Sequence, residues 1–509
     1  MPPRESTHLP IGAPLAAALL ALAVWLVFRG ALDIFFAQED FRGLAAAAGV
    51  LPRHEQLWRY VSVQAFMDVT HPWFGDRPWP YHAAGLGLHA LNAGLLFLVL
   101  IRYASTPAAF LGAMFFATHP ALFTALYWLS ARADLMAGIF ALLTVLAERR
   151  DDRAKWLAVP AFGACLLSKE SMLLLPAVLL LMHRGRIDRL RLALLVMSAA
   201  WVAYLGVQGG PGVVAAIESP GAAYALGFGA PLLANLLTYV GWTVDMAMVK
   251  PGLRFVDAVN PDVHPAAFLA LATCLALTFW PALRKRGWLV GLAAYLLLLA
   301  PVLPLANHTY RYYLYGPLLA AAFCLAILAE SIGGHVTAGA RRMSPRTIGV
   351  VVIACSLVFA WNGARLVGQM ERRSSPLYPG LRGDPIVDRA LIAERAIRSL
   401  QTADLPRGTS LRFVMRERIA IVARAVRGSG EDMPPREEAY PETNFRVALF
   451  DGAGVLALVP AVDSVSFALD LGQPLPGRRY GVYAPTGEVQ VFDPVALDSL
   501  LRSEWVMQW

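Results

Sequence analysis

The stretch HAAGLGLHALNAGLLFLVLI (residues 82–101) contains no Asp, Glu, Lys or Arg, and nearly all its residues are apolar or small. A helix of about 20 predominantly apolar residues is long enough to cross a lipid bilayer. The stretch therefore predicts a membrane-spanning helix. It decides the fold class because similar apolar runs recur along most of the chain.

The composition of the chain excludes an ordinary globular protein. Hydrophobic residues make up 57% and charged residues 16% of the 509 residues, whereas soluble domains have about 45–50% and about 25%. The net charge of +8 does not indicate nucleic acid as a partner, because many basic residues lie in short loops between apolar runs. We expect a polytopic membrane protein with lipid around it.

The apolar runs predict an all-α polytopic membrane protein with about 11 spans. The runs cover residues 11–29, 82–101, 106–118, 133–147, 155–167, 171–183, 190–207, 228–248, 265–282, 288–304, 314–331 and 347–367. The first run lacks a small-residue cleavage site followed by a polar mature sequence. We therefore interpret it as an anchor in preference to a removed signal peptide.

The positions of Lys and Arg predict the orientation of the bundle, because short cytoplasmic loops carry the positive excess. The basic loops are Arg149–Lys155, Arg184–Arg191, Arg284–Arg286 and Arg341–Arg346. All four loops lie on one side of the membrane only if one segment between residues 208 and 264 does not cross it fully. The candidate for this segment is 228–248. This arrangement places the N-terminus inside and the tail outside. If 228–248 crosses, the tail moves to the cytoplasm.

A change in composition near residue 371 predicts two domains. Residues 1–370 form the transmembrane domain, with 30–80 as its first outer loop, and 371–509 form a small soluble α/β or α+β domain. In this tail we predict helices over 388–400 and 418–426 and strands over 409–415, 444–450, 464–471, 479–483 and 489–492. We identify no set of catalytic residues in the tail. We expect it to bind an acceptor, cover the active-site loops or act as a structural cap.

Ionisable and imidazole side chains concentrate at one side of the predicted bundle. An ionisable group at membrane depth is costly and indicates function. The set comprises Asp33, Glu39, Asp40, Arg59, His82, His119, Arg132, Asp134, Lys169, Glu170, His308 and Arg311. Taken singly, each has a structural explanation: the acidic pair can solvate a loop, Lys169 and Glu170 can pair locally, and His82 and His89 can be packing histidines. No third ligand accompanies these two histidines, so we predict no metal site.

The order of several short motifs is more specific than any single residue. The motifs are FAQEDF (36–41), WRYVS (58–62), YH (81–82) with HALNA (89–93), HP (119–120) with WLSARADL (128–135), LSKES (167–171) and RYYLYGP (311–317). In this order the chain resembles membrane-embedded glycosyltransferases of the GT-C type. It is most similar to bacterial relatives of the transmembrane O-mannosyltransferases that in eukaryotes carry tetratricopeptide repeats. The resemblance covers about residues 10–330 and implies a GT-C-like helix bundle.

The chain also departs from the pattern of this family. Leu122 and Thr124 stand where the family has a second His and a Glu, and Tyr310 stands where a Glu is common. No repeat with a period near 34 residues is present. We therefore expect the catalytic scaffold to be retained and acceptor recognition to have diverged.

The resemblance implies transfer of a sugar from a polyprenyl phosphate to an acceptor outside the membrane. A single base with a stabilised leaving group fits direct displacement with inversion, and we expect no metal or other cofactor because no ligand cluster accompanies the acidic pair. The acceptor can be a protein, a lipid or a glycan. Asp40 or Glu39 is the candidate base, with Asp33 as a third option, because the attacking hydroxyl must lose a proton.

The departing phosphate of such a donor needs cations around it, and arginine pairs two phosphate oxygens at once. The predicted substrate-binding set is Arg59, His82, His119, Arg132, Asp134, Lys169, Glu170, His308 and Arg311. Within this set the arginines and Lys169 are expected to bind the phosphate.

Other classes of function compete with a transferase. A transporter or flippase of lipid-linked sugars also buries ionisable groups, although inverted repeats are absent from the sequence. A glycan polymerase or ligase keeps its key residues in a late outer loop, and an inactive GT-C-like scaffold is a further alternative. The Ala- and Arg-rich composition and short loops favour a bacterial inner membrane with the tail in the periplasm.

Overall fold

The structure is a computed structural model of the chain. It describes residues 12–150, 152–218, 224–244, 265–281, 283, 287–338, 344–375, 380–419, 440–468 and 477–502.

Each of the twelve predicted apolar runs contains a helix. The bundle helices are α1 (Ala13–Phe28), α4 (Pro78–Leu100), α5 (Thr106–Ala117), α7 (Arg132–Glu148), α8 (Ala158–Ser168), α9 (Leu175–Met182), α10 (Arg189–Glu218), α11 (Ala230–Val244), α12 (Pro265–Thr278), α13 (Trp288–Leu299), α14 (Tyr315–Ala338) and α15 (Pro345–Arg372). Three short helices lie between them: α2 (Asp40–Ala47), α3 (Phe66–Phe74) and α6 (Phe123–Tyr127). Proline occupies the first helical position of α4 and α15, where its missing N–H costs no hydrogen bond.

Six helices of the described chain are long and apolar enough to cross a membrane: Ala13–Asp33, Pro78–Leu100, Leu129–Glu148, Arg189–Gln208, Arg311–Gly334 and Thr347–Arg372. A seventh candidate is Thr106–Ala117 with Pro120–Tyr127, which bends by 43° at the break. Four further apolar helices are shorter, at 10–17 residues. The predicted class, a helical integral membrane protein with a small C-terminal sheet domain, is confirmed.

The end of the bundle that carries the basic loops is held by a buried carboxylate. Glu148, at the end of α7, receives a hydrogen bond of 2.6 Å from Nη2 of Arg191 and lies 3.0 Å from Nε2 of His183. The loops 149–155 and 184–191 therefore share this end, which we call the basic end. Residues 284–286, 341–343, Asp245 and Lys250, which entered the topology prediction, lie outside the described residues.

The chain runs from the opposite end to the basic end between α10 and α13. Gly227 donates a backbone hydrogen bond of 2.7 Å to Pro304, at the end remote from Glu148. Trp288, in contrast, packs with Cys324 and Tyr103 at the basic end. Gly227 and Trp288 therefore lie at opposite ends of the bundle, and the C-terminal domain lies at the same end as the first loop.

The C-terminal domain contains a four-stranded sheet in the order β2-β1-β3-β4. Its strands are β1 (Thr409–Met415), β2 (Val462–Phe467), β3 (Arg478–Tyr483) and β4 (Val489–Phe492), and its helices are α16 (Pro385–Thr402), α17 (Tyr440–Ala448), α18 (Ala453–Leu458) and α19 (Pro494–Arg502). β1 pairs in parallel with β2 and β3, and β3 forms an antiparallel hairpin with β4. The predicted helix 388–400, the strand 409–415 and the hairpin are confirmed.

One predicted strand is wrong. Residues 444–450 were expected to be extended, but α17 covers Tyr440–Ala448. Apolar residues at 445, 447 and 449 fit an alternating strand, whereas burial of Asn444, Phe445 and Ala448 follows a helical spacing. Pro441 lies in the first turn of the helix, where proline is tolerated. Residues 420–426 and 469–471 of two other predicted elements lie outside the described residues.

The first loop and the C-terminal domain share one hydrophobic core. Phe36, Phe41 and Leu44 of the loop are buried with Phe445 and Val455 of the domain, each at most 1% exposed. The acidic pair at residues 39–40 therefore belongs to a segment packed against the C-terminal domain.

Candidate active site

A polar cavity of about 270 Å³ lies at the end of the bundle opposite Glu148. The first loop, the segment before α7, the turn before α14 and the beginning of α16 form its walls. The cavity is lined by Gln38, Glu39, Arg42, His54, Trp58, Arg59, Val63, Thr124, Trp128, Ser130, Ala131, Arg132, Lys169, Tyr224, His308, Tyr310, Tyr312, Tyr313, Asp384, Pro385, Ile386 and Arg389. Residues far apart in the sequence therefore meet in one space.

The two acidic residues of the first loop have different environments. Glu39 is exposed and forms part of the cavity wall. Asp40 is 3% exposed, and Oδ1 accepts hydrogen bonds of 2.7 Å from both the backbone N–H and the hydroxyl of Ser130. Its Oδ2 accepts the backbone N–H of Ala37 at 3.1 Å. Glu39 is thus the carboxylate that a ligand in the cavity can contact.

Burial changes the proton affinity of Asp40. It raises the pKa of this carboxyl from 3.8 to about 6, against the opposing effects of the hydrogen bonds from Ser130 and Ala37 and the charge of Arg132. Desolvation disfavours the charged form, which explains the direction. At neutral pH Asp40 is mostly ionised.

Arg59 lies in a strained backbone segment at the cavity wall. Its φ of +56° is in the left-handed region, and a π-helical turn, Val61–Ala65, follows it. Such features cost free energy and concentrate at functional sites. Nη2 of Arg59 donates to Oε1 of Glu170 at 2.7 Å, and its guanidinium lies 4.4 Å from the centre of the Trp58 ring. Burial lowers the pKa of Arg59, but the attraction of Glu170 outweighs it and the net pKa is raised.

Lys169 lines the cavity and forms a second ion pair with a carboxylate behind the wall. Its Nζ donates to Oδ2 of Asp134 at 2.5 Å, and both side chains are at most 5% exposed. The same ammonium lies 4.7 Å from the ring centre of Tyr312 and 5.4 Å from that of Tyr313. The adjacent residues Lys169 and Glu170 thus pair with different partners instead of with each other.

Arg132 is buried between the first loop and α7. Its Nε donates to the carbonyl of Ser62 at 2.7 Å and its Nη1 donates to Leu129 at 3.0 Å. The guanidinium also lies 4.7 Å from the centre of the Phe66 ring. Arg132 therefore fixes the first loop to the bundle while it lines the cavity.

Tyrosine rings surround His308. The ring centre of His308 lies 4.6 Å from that of Tyr224 and 4.4 Å from that of Tyr310, and the hydroxyl of Tyr312 is 3.4 Å from Nε2. Burial, followed by the charges of Lys169 and Arg59, lowers the pKa of His308 to about 4. The imidazole is therefore neutral at physiological pH.

Five of the nine predicted binding residues do not line the cavity, and three of them, His82, His119 and Arg311, contact other parts of the bundle. His82 is buried against the backbone of Ile34 and Leu126. The Nδ1 of His119 accepts the N–H of Ala121, and its Nε2 lies 3.1 Å from the carbonyl of Thr243. Arg311 lies 5.3 Å from the ring centre of Trp242.

Of the other predicted acidic residues, two pair with cations of the cavity wall and one is exposed to solvent. Asp134 and Glu170 stand behind Lys169 and Arg59 as their partners. Asp33 is exposed and is not among the lining residues.

Several cavity residues were not predicted from the sequence. They are Gln38, Arg42, His54, Tyr224, Asp384 and Arg389, together with the tryptophans of the WRYVS and WLSARADL motifs. Arg42 follows the acidic pair within one helical turn, so amphipathic spacing could have indicated it. The two residues from the C-terminal domain had no such signal. Asp384 caps α16 by accepting the N–H groups of Ile386 and Val387, and this cap places both residues at the cavity.

The cavity combines the chemical features that a sugar phosphate requires. Cations at Arg42, Arg59 and Lys169 can bind a phosphate, and aromatic rings can pack against the apolar faces of a sugar. Glu39 supplies an exposed carboxylate beside them. The site can therefore hold an anionic, partly apolar ligand next to an exposed carboxylate.

No protein-family model and no curated protein matches the chain. Among solved structures, ArnT from Cupriavidus metallidurans bound to undecaprenyl phosphate is similar at 14% identity, over 94% of this chain and 93% of that chain, with a TM-score of 0.48. An oligosaccharyltransferase from Archaeoglobus fulgidus, tethered to an acceptor peptide containing the NVT sequon, is similar at 11% identity, over 80% of this chain and 62% of that chain, with a TM-score of 0.43.

Proposed function

We propose that the protein is a membrane glycosyltransferase of the GT-C type that moves a sugar from a polyprenyl phosphate to an acceptor hydroxyl. The observation that carries the proposal is the shared cavity: an exposed carboxylate at Glu39 faces the same space as Arg59, Lys169 and His308. Glu39, Arg59 and Lys169 come from the motifs whose order resembles this class of enzyme, and His308 lies three residues before the last of these motifs.

In the proposed reaction, Glu39 takes the proton from the acceptor hydroxyl. The acceptor oxygen attacks the anomeric carbon, the bond from that carbon to the phosphate oxygen breaks, and its electron pair stays on the phosphate. One displacement inverts the anomeric centre. Proton removal by a positioned carboxylate typically contributes about 10²- to 10⁴-fold to such a rate.

We assign the departing phosphate to the cations of the cavity wall. Arg42 is exposed and has no ionic partner among the described residues, whereas Arg59 and Lys169 are each held by a carboxylate behind them. Preorganised cations stabilise the charge that develops on a leaving group. Arg132, which already bonds two backbone carbonyls, supports the loop.

The finer parts of the proposal rest on the motif order and on the distribution of charge. We place the protein beside the bacterial relatives of the O-mannosyltransferases. We further propose a bacterial inner membrane, with the cavity and the C-terminal domain on the periplasmic side, because the two basic loops that the structure describes, 149–155 and 184–191, lie at the opposite end. The acceptor can be a protein, a lipid or a glycan.

The test is donor consumption by the purified protein in lipid, with polyprenyl phosphates that carry mannose, glucose, arabinose or aminoarabinose. We expect one donor to be consumed by wild type and not by Glu39→Gln. If none is consumed, the transferase proposal fails, and flux assays for a carrier of lipid-linked sugars come next.

A further inference from the structure

Gln38, which precedes the acidic pair, has a constrained position in the cavity wall. Its φ of +56° lies in the left-handed region, where a side chain larger than glycine is strained. The side chain is 6% exposed, and its backbone N–H donates to the carbonyl of Ala448 in the C-terminal domain at 3.1 Å. The surrounding structure therefore imposes this conformation.

The C-terminal domain also fixes the orientation of the Gln38 carboxamide. Nη1 of Arg389 donates to Oε1 of Gln38 at 2.8 Å. A guanidinium can only donate, so this contact identifies the oxygen of the amide and directs its nitrogen elsewhere.

Arg389 is itself held by a buried polar network. Its Nε donates to Oδ1 of Asn444 at 2.9 Å, and Nδ2 of Asn444 donates to Oδ2 of Asp388 at 2.8 Å. The backbone N–H of Arg382 completes the network with a bond of 2.7 Å to Oδ1 of Asp388. Asn444 and Asp388 are each 1% exposed. A satisfied buried network of this kind holds its members in one geometry.

The nitrogen of the Gln38 carboxamide lacks a hydrogen-bond partner within the described residues, although it is buried. A buried amide donor without a partner destabilises the folded protein, because its lost hydration is not compensated. The indole nitrogen of Trp128, in the same cavity wall, is also buried without a partner in that part of the chain. Two unused N–H donors on one cavity indicate a ligand that supplies acceptor oxygens.

We infer that Gln38 is a substrate-binding residue that donates to an oxygen of the lipid-linked sugar, and that Arg389 of the C-terminal domain positions it. The inference rests on the proposed function and deepens it. It makes the C-terminal domain part of the active site, because the side chain beside the base Glu39 is oriented from that domain. Arg389 acts through Gln38 and is a positioning residue.

The experiment compares apparent KM and kcat for the lipid-linked donor in reconstituted full-length protein. Gln38→Glu keeps an acceptor for Arg389 and loses the N–H donors, and Gln38→Met removes the amide without adding charge. We expect each variant to raise KM about tenfold. Arg389→Met is expected to raise KM in the wild-type background and to have little further effect in Gln38→Met. Arg398→Met, from an exposed pair with Glu394 on the same helix, is the matched control.

The outcomes separate the inference from the proposed function. Wild-type turnover with an unchanged KM in both Gln38 variants overturns the inference and leaves the transferase intact. Equal effects of Arg389→Met in the two backgrounds overturn the positioning role. Absence of turnover by wild type on every donor overturns the proposed function itself.

Discussion

Ser130 donates two hydrogen bonds of 2.7 Å, from its backbone N–H and its hydroxyl, to the same oxygen of Asp40. These bonds join the beginning of α2 to the segment before α7, and the bond from Ala37 fixes the same carboxylate within the first loop. This arrangement assigns Asp40 to holding the loop and leaves Glu39 to face the cavity. The two neighbouring carboxylates can therefore be tested against each other.

Glu39→Gln should abolish transfer without loosening the fold. The side chain is exposed, so its neutral analogue changes few contacts, whereas removal of the base costs about 10²- to 10⁴-fold in kcat. The measurement is single-turnover sugar transfer together with a thermal melt in detergent. A variant with wild-type kcat would remove Glu39 from the base role.

Asp40→Asn should change the dependence of stability on pH. The pKa of Asp40 is about 6 in the folded protein against an ordinary 3.8. The folded state therefore binds this proton more tightly than the unfolded chain. Protonation of Asp40 thus adds to the free energy of unfolding at low pH, and this stabilisation is lost as the pH rises through 6. The contribution is about 3 kcal/mol at most.

The asparagine side chain does not titrate, so the variant lacks this pH dependence. Its amide NH₂ group also faces the N–H groups that hydrogen-bond to Asp40 in the wild type. We expect wild type to be more stable than Asp40→Asn near pH 4, with the difference shrinking toward pH 7. Parallel melting curves at every pH would show that Asp40 is not protonated preferentially in the folded state.

Arg59→Lys should weaken donor binding more than it weakens the fold. Lysine keeps the charge beside Glu170 but loses the planar fork that binds two phosphate oxygens. We expect apparent KM for the donor to rise about tenfold, with little change in melting temperature. Arg53→Lys is the matched control, because Arg53 lies in the same loop, pairs with Asp68 in solvent and does not line the cavity. Equal effects of the two substitutions would argue against a phosphate at Arg59.

The membrane part of the fold was predictable because its signal is local. Each predicted apolar run contains a helix, since about 20 apolar residues suffice to indicate a span without knowledge of their neighbours. The polar end was predictable in outline for a related reason. The motifs around Arg59 and Lys169, and the turn that holds His308, follow or precede helices at positions whose side is determined by the number of crossings.

The sequence did not indicate which polar residues meet a ligand. His119 lies in the same connecting segment as Ser130, and Arg311 lies in the same turn as His308, but His119 and Arg311 contact Thr243 and Trp242 instead of the cavity. The direction of each side chain depends on how the neighbouring helices pack, and composition and motif spacing do not contain that information. The hydrogen bond from Arg389 to Gln38 could not be predicted from the sequence, because it depends on how the C-terminal domain packs against the first loop.

The contact between Gly454 and Phe41 should couple the C-terminal domain to the acidic pair. A Cβ added at Gly454 would lie 2.8 Å from atoms of the Phe41 ring, so the ring must move. We expect Gly454→Ala to lower both melting temperature and kcat, because overpacking costs about 1–3 kcal/mol and Phe41 lies two residues from Glu39.

A double-mutant cycle with Phe41→Leu tests this coupling. The smaller side chain should relieve the clash, so Gly454→Ala should cost less in the Phe41→Leu background. Gly85→Ala is the control for a glycine-to-alanine change, since nothing lies within 4 Å of a Cβ at that position. Additive effects on kcat would show that the domain contact does not reach the carboxylates.

The first loop and the C-terminal domain should be accessible from the same side of the membrane, opposite the basic end. Glu55 in the loop, Arg398 on α16 and Arg186 between α9 and α10 are all exposed. Single cysteines at these positions, in a background without the four native cysteines, report their side through a membrane-impermeant maleimide. We expect Glu55→Cys and Arg398→Cys to react in intact cells and Arg186→Cys to react only after permeabilisation, because short basic loops stay in the cytoplasm. Labelling of Arg186→Cys alone would invert the orientation, whereas labelling of only one of the other two would contradict the packing of the domain against the first loop.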